Sequence, residues 1–142
     1  MNAFFYTSVS GRIATILIGV EILLPYLLRR TRLTVSLGIV QASAKGYLRR
    51  MWPHYWAGYL LLILSFVHAW VPMPAGRLPR TSIIGLWLGT IALALLFLQL
   101  LLGLALQRAN ETRRFLRVAH FWTMLVVCML VLSHLWMNGS IF

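Results

Sequence analysis

The chain has 142 residues, of which 61% are hydrophobic and 11% are charged, and its mean hydropathy is +0.83. Soluble domains contain about 45–50% apolar and about 25% charged residues, so this composition excludes a soluble enzyme, a disordered tail and a collagen-like chain. Thirteen basic residues oppose only Glu21 and Glu111, which gives a net charge of +11. Because the basic residues lie between long apolar runs, they indicate lipid headgroups rather than a nucleic acid partner. The sequence predicts an integral membrane protein.

Four apolar segments have the roughly 17–25 residues that a membrane-spanning helix needs. The first contains Arg12 and Glu21, and arginines rather than a small-residue cleavage site follow it, so we expect a permanent helix and not a signal peptide. The second has Pro53 in its first turn, where a missing N–H is tolerated. Nothing divides the chain into separate units, which favours one all-α, four-helix transmembrane bundle over residues 1–142. The predicted helices are, in chain order, about 10–28, 52–71, 82–106 and 115–137.

The distribution of basic residues predicts the orientation of this bundle. The first and third loops hold ten of them, whereas the N-terminal tail and the second loop together hold three. By the positive-inside rule the first and third loops are cytoplasmic and both termini are outside, in what we expect to be a bacterial inner membrane. The weak apolar stripe of residues 34–45 is compatible with a short interfacial helix in the first loop.

All four histidines of the chain fall in the second and fourth predicted helices. His54 and His68 are fourteen residues apart, and so are His120 and His134. Fourteen residues make almost four helical turns, so the members of each pair lie near one face of their helix, roughly 21 Å apart along it. Both helices run in the same direction. We therefore expect His54 to face His120 near the cytoplasmic surface and His68 to face His134 near the outer surface.

Two imidazoles from opposite helices suit haem iron, which already has four porphyrin nitrogens and needs only axial ligands. Zinc needs three or four protein ligands, and no cysteine or carboxylate accompanies either pair in the sequence. The single cysteine, Cys128, excludes a disulfide framework, a CxxC redox pair and a covalent CxxCH haem site, and it is typical of an apolar core position. The pattern predicts two non-covalent, bis-histidine haem b groups. The alternative is that the histidines only form hydrogen bonds between helices.

Other residues near the histidines are candidates for a supporting role. Gly58 and Ser65 each lie about one turn inward from a histidine of the second helix, where small side chains would leave room for a macrocycle or would serve close helix packing. Several arginines lie where they would pair with haem propionates, or act only as topology determinants. Those arginines are Arg49, Arg50 and Arg117 on the predicted cytoplasmic side and Arg77 and Arg80 on the outer side.

Glu21 is an ionisable residue inside a predicted membrane helix, which makes function the default hypothesis. A proton path or a quinone site would use such a carboxylate. The alternative is a buried acid that is protonated or paired with another helix.

The stretches LRRMWPHYWAGYLLLILSFVHAW and RRFLRVAHFWTMLVVCMLVLSHLW resemble the two haem-bearing helices of the ferric reductase-like transmembrane domain, which ferric reductases and NADPH oxidases share. Each has a basic cluster, a histidine one turn into the helix and a second histidine almost four turns later. The resemblance covers essentially the whole chain and implies the same axial ligand pairs. The cytochrome b subunit of quinol-oxidising complexes has a similar paired spacing, but the predicted orientation favours the ferric reductase group.

Members of that family that act alone usually have six helices and a soluble flavin and nicotinamide domain, whereas this sequence contains no glycine-rich phosphate loop. We therefore expect a di-haem b-type cytochrome that carries electrons across the membrane as a subunit of a larger redox complex, receiving electrons from a partner protein or a membrane quinol. An alternative is a stand-alone quinol-linked, ferric or other metal reductase. An alternative of another class is a haem-free transporter or assembly subunit whose histidines relay protons or bind a transient metal, although no internal repeat or broken helix favours it.

Overall fold

The protein, seen here as a computed structural model, is described over residues 3–30, 51–70, 82–108 and 114–138. Each of these ranges forms one helix, and within them the fold is all-α. The four helices lie where the sequence predicts them. Their bounds are Ala3–Arg30 for α1, Trp52–Trp70 for α2, Ile83–Arg108 for α3 and Arg114–Met137 for α4.

Local sequence explains where the helices begin. In α2, Pro53 lies in the first turn as expected, and the amide of Tyr55, two residues beyond it, donates to the Met51 carbonyl at 3.2 Å. In α3, the hydroxyl of Ser82 accepts a hydrogen bond from the Gly85 amide at 2.9 Å, which is an N-cap. The helix α1 begins seven residues before the predicted start, because residues 3–9 contain no proline or glycine that would end it.

Three of the described helices are long and apolar enough to cross a membrane: Ser8–Leu27 within α1, together with α3 and α4. The helix α2 is not among them, since its two histidines, Pro53 and several tryptophans and tyrosines lower its hydropathy. Large apolar side chains point outward on all four helices, including Ile16, Ile63, Ile83 and Phe115. A water-soluble monomer rarely exposes so much apolar surface, whereas a lipid bilayer would cover it. The fold therefore indicates a membrane protein.

The bundle is organised as two helix pairs. The helix α1 packs along α2, α3 packs along α4, and α2 also contacts α3. One buried residue from each helix forms the centre of the core, namely Ala14, Leu61, Leu96 and Val127. The possible interfacial helix at residues 34–45 lies outside the described residues. Which side of the membrane each end faces stays a prediction.

Candidate functional site: two histidine pairs between α2 and α4

The structure brings the four histidines together in the pairs that their spacing predicts. The ring centroids of His54 and His120 are 6.2 Å apart, and those of His68 and His134 are 6.3 Å apart. In both pairs the ring planes are nearly perpendicular, at 82° and 83°. The backbones of α2 and α4 are not among the closely packed helix pairs, so these two helices approach each other through side chains.

A layer of apolar side chains separates the two histidine pairs. Leu61 lies midway between His54 and His68 on α2, and Val127 lies midway between His120 and His134 on α4. Both side chains are only 1% exposed. Each half of the bundle therefore contains one histidine pair, and a buried apolar layer lies between them.

The His54 ring is backed by a carboxylate from α1. Its Nδ1 lies 2.6 Å from Oε2 of Glu21. By distance this is an ion-pair contact, although the Nδ1–H is not aligned well enough for a hydrogen bond. Glu21 is buried, and its other oxygen, Oε1, has no hydrogen-bond partner among the described residues. Glu21 of α1 therefore contacts another helix, α2, and the residue that it contacts there is the candidate ligand His54.

The His134 ring is backed by neutral groups. Its Nδ1 lies 2.7 Å from the backbone carbonyl of Gly85 on α3, which can accept the Nδ1–H. The amide nitrogen of Asn138, one turn further along the chain, is 3.3 Å from both ring nitrogens. These contacts hold the ring from α3 and from its own helix. The other pair contains an unsatisfied ring atom, because Nδ1 of His120 is buried without a hydrogen-bond partner in the described structure.

Glycines on α1 and α3 provide the space for two of the imidazoles. A Cβ at Gly11 would lie 2.7 Å from Cε1 of His68, and a Cβ at Gly89 would lie 3.0 Å from Cε1 of His134. Sequence reasoning missed these glycines because it examined only the helices that carry histidines. A signal was present, since Gly89 and Gly103 on α3 are also fourteen residues apart, and Gly103 faces His120.

The remaining candidates are distributed differently. Gly58 faces α1, where a Cβ would lie 3.9 Å from Oε2 of Glu21. Ser65 is half-buried on α2. Arg117 is exposed and lines a shallow surface groove beside Phe121 and Trp122. Cys128 is half-buried in α4 and is not in a disulfide. The other candidate arginines, which are Arg49, Arg50, Arg77 and Arg80, lie outside the described residues.

The donor set limits what the site can bind. The described residues contain no group of three or more His, Cys, Asp or Glu side chains that could hold a metal ion. A zinc site built from protein ligands alone therefore does not fit. Two imidazoles per site, with glycines beside the rings and an unsatisfied ring nitrogen on His120, fit a metal that takes most of its ligands from elsewhere, as haem iron does.

Comparison with protein-family models, with curated proteins and with solved structures finds no match to this chain. The described residues form four helices, three of them long and apolar enough to cross a membrane, with two histidine pairs between α2 and α4.

Proposed function

We propose that the protein is a di-haem b-type cytochrome that carries electrons across the membrane. The observation that carries the proposal is the pairing of His54 with His120 and of His68 with His134 across two helices, with no histidine left over. Chance hydrogen bonding between helices does not require two pairs with the same sequence spacing and the same ring separation.

The separation within each pair supports the binding of one haem iron by both rings. An imidazole nitrogen would lie about 2 Å from a metal ion that it ligates, so the two rings of a pair must lie close to a common point. The centroid distances are 6.2 Å and 6.3 Å. Two histidines on one helix, roughly 21 Å apart along its axis, are too distant to share an iron.

In this proposal the chain binds, orients and insulates the cofactors. The four histidines would provide the axial nitrogens, while Glu21 and the Gly85 carbonyl orient two of the rings. When bound, each haem would supply reversible one-electron chemistry at its iron. The layer of Leu61 and Val127 keeps water out of the space between the two sites. Among the arginines, Arg117 is a candidate for a propionate contact because it is exposed one turn before His120.

The proposal includes α2 as a fourth membrane-spanning helix, since the haem sites require it to lie in register with α4. The loop charges support a position of the His54–His120 site near the cytoplasmic surface of what we propose is a bacterial inner membrane. The resemblance to the ferric reductase-like transmembrane domain supports the same arrangement. We propose that the chain is the membrane electron-transfer subunit of a larger complex, with a partner protein or a quinol as its electron source.

The experiment is a spectrum and a haem count on the purified full chain. We expect a red protein with a dithionite-reduced b-type spectrum, and two non-covalent haems per chain in the pyridine haemochrome assay. The matched control is the quadruple His→Ala variant at residues 54, 68, 120 and 134, purified in the same way, which should be colourless. One haem per chain, or none, would refute the proposal.

A second candidate function is favoured by one contact, that of Glu21 with His54. A buried carboxylate beside an imidazole, with a second imidazole 6.2 Å away by ring centroids, would form part of a proton relay in a haem-free transporter. In that case the purified protein is colourless, and proteoliposomes conduct protons in a manner that Glu21→Gln abolishes. A coloured protein with two haems and no proton conductance would rule this function out.

A further inference from the structure

The two histidine pairs differ in the groups that lie behind their rings. Behind His54 is the carboxylate of Glu21, with 2.6 Å between Oε2 and Nδ1. Behind His134 is the neutral carbonyl of Gly85, with 2.7 Å between the oxygen and Nδ1. The Nδ1 atom of each ring meets an oxygen, but only the oxygen behind His54 belongs to a carboxyl group.

Glu21 is buried, and His54 is the polar group that its carboxyl group contacts. Glu21 is 7% exposed, and Oε1 has no hydrogen-bond partner among the described residues. Gly58 borders the carboxylate, since a Cβ there would lie 3.9 Å from Oε2, in ordinary van der Waals contact. A charge in a low-dielectric interior is weakly screened, so a carboxylate at this position would act strongly on the nearest polarisable group.

We propose that Glu21 is a positioning residue for His54 and that it gives the His54–His120 site the lower reduction potential of the two sites. This inference rests on the proposed haem function. A carboxylate or carbonyl beside the second ring nitrogen of a metal-ligating histidine holds the orientation of the ring and makes the ligand more basic. A carboxylate does this more strongly than a carbonyl, and its charge would stabilise ferric iron over ferrous iron.

Among the described residues, Arg117 is the basic residue nearest in sequence to a histidine of this site. Arg117 lies one turn before His120, but it is exposed, so water and lipid headgroups screen its charge more than the buried carboxylate is screened. The equilibrium for one electron shared between the two sites therefore lies toward the His68–His134 site. By the predicted orientation, this is the site nearer the outer surface.

The test is a redox titration of Glu21→Gln, which keeps the shape of the side chain and removes its charge. We expect the Glu21→Gln protein to bind two haems. One of its two redox components should have a higher midpoint potential than in the wild-type protein, and this should be the component that His54→Ala lacks. If the site's preference for ferric over ferrous iron changes tenfold, the midpoint potential of a one-electron couple shifts by about 59 mV. The matched control is Thr90→Val, since the Thr90 hydroxyl is exposed and bonds within its own helix to the Leu86 carbonyl at 2.9 Å. Neither potential should move in the control.

Two results would overturn the inference. One is a Glu21→Gln protein with two haems and unchanged potentials, or with a shift only in the component that survives His54→Ala. The other does not depend on the Glu21 variant: His54→Ala must leave the component with the higher wild-type potential, and retention of the lower one contradicts the inference. Fewer than two haems in the wild-type protein would instead refute the proposed function, so the two failures are distinguishable.

Discussion

Leu61 and Val127 lie at equivalent positions in two different helices, each seven residues from both histidines of its own helix. They are also the largest fully buried side chains among the described residues. Together with Ala14 and Leu96 they form the centre of the core, which joins all four helices at one level. The same layer therefore stabilises the bundle and separates the two candidate sites.

This layer makes a prediction about stability. Leu61→Ala would leave a cavity in the core and should lower the free energy of unfolding by about 2–5 kcal/mol. Leu60→Ala is the matched control, because Leu60 is 49% exposed and should change stability by less than about 0.5 kcal/mol. Unfolding of the detergent-solubilised protein, followed by circular dichroism, measures both.

Val127 allows an independent version of the same comparison on α4. Val127→Ala should destabilise the protein more than Val126→Ala, since Val126 is 45% exposed and Val127 only 1%. Equal effects of the two valine variants would mean that this layer does not hold the bundle together.

The pairing of the histidines predicts which substitutions share a phenotype. His54→Ala and His120→Ala should remove one common haem component, and His68→Ala and His134→Ala should remove the other, because each iron needs both imidazoles of its pair. A redox titration with optical detection resolves the two components in each variant. If His54→Ala and His120→Ala removed different components, the cross-helix pairs would not be the ligand pairs.

The glycines beside the rings predict a steric effect. Gly11→Ala and Gly89→Ala would place a methyl group 2.7 Å and 3.0 Å from ring carbons of His68 and His134, so we expect a destabilisation of about 1–3 kcal/mol and a disturbed component for that pair. Gly19→Ala is the control, since its Cβ would meet nothing within 4 Å. Thermal unfolding and the redox titration provide the readouts, and wild-type behaviour of Gly11→Ala and Gly89→Ala would argue against these ring positions.

The loop charges predict the orientation in the membrane. A periplasmic-active reporter fused after Phe142 should be active, and a reporter that works only in the cytoplasm should be inactive there. The matched fusion in the first loop, after Lys45, should show the opposite pattern. Activity of the cytoplasmic reporter after Phe142 would invert the orientation and place His54 and His120 at the outer face.

Much of the fold could be predicted from the sequence because lipid imposes a simple requirement on length and composition. The predicted helix of residues 52–71 is observed as Trp52–Trp70, and that of 115–137 as Arg114–Met137. The meeting of His54 with His120 also followed from the sequence, since equal spacings on two helices of the same direction bring the rings to the same levels. The helix α2 does not meet this requirement of composition, because residues such as His54, His68 and Pro53 lower its hydropathy.

The sequence by itself determined the four described helices, the approximate limits of α2, α3 and α4, and the two histidine levels, since these depend on the residue pattern along one helix at a time. Only the tertiary structure decided that Glu21 contacts His54, that Gly58 faces α1, and that Gly11 and Gly89 adjoin the rings of His68 and His134. These relationships depend on the rotation of each helix about its axis and on its register against its neighbours. Both are set by the packing of side chains such as Leu61 and Val127, which no periodicity within a single helix specifies.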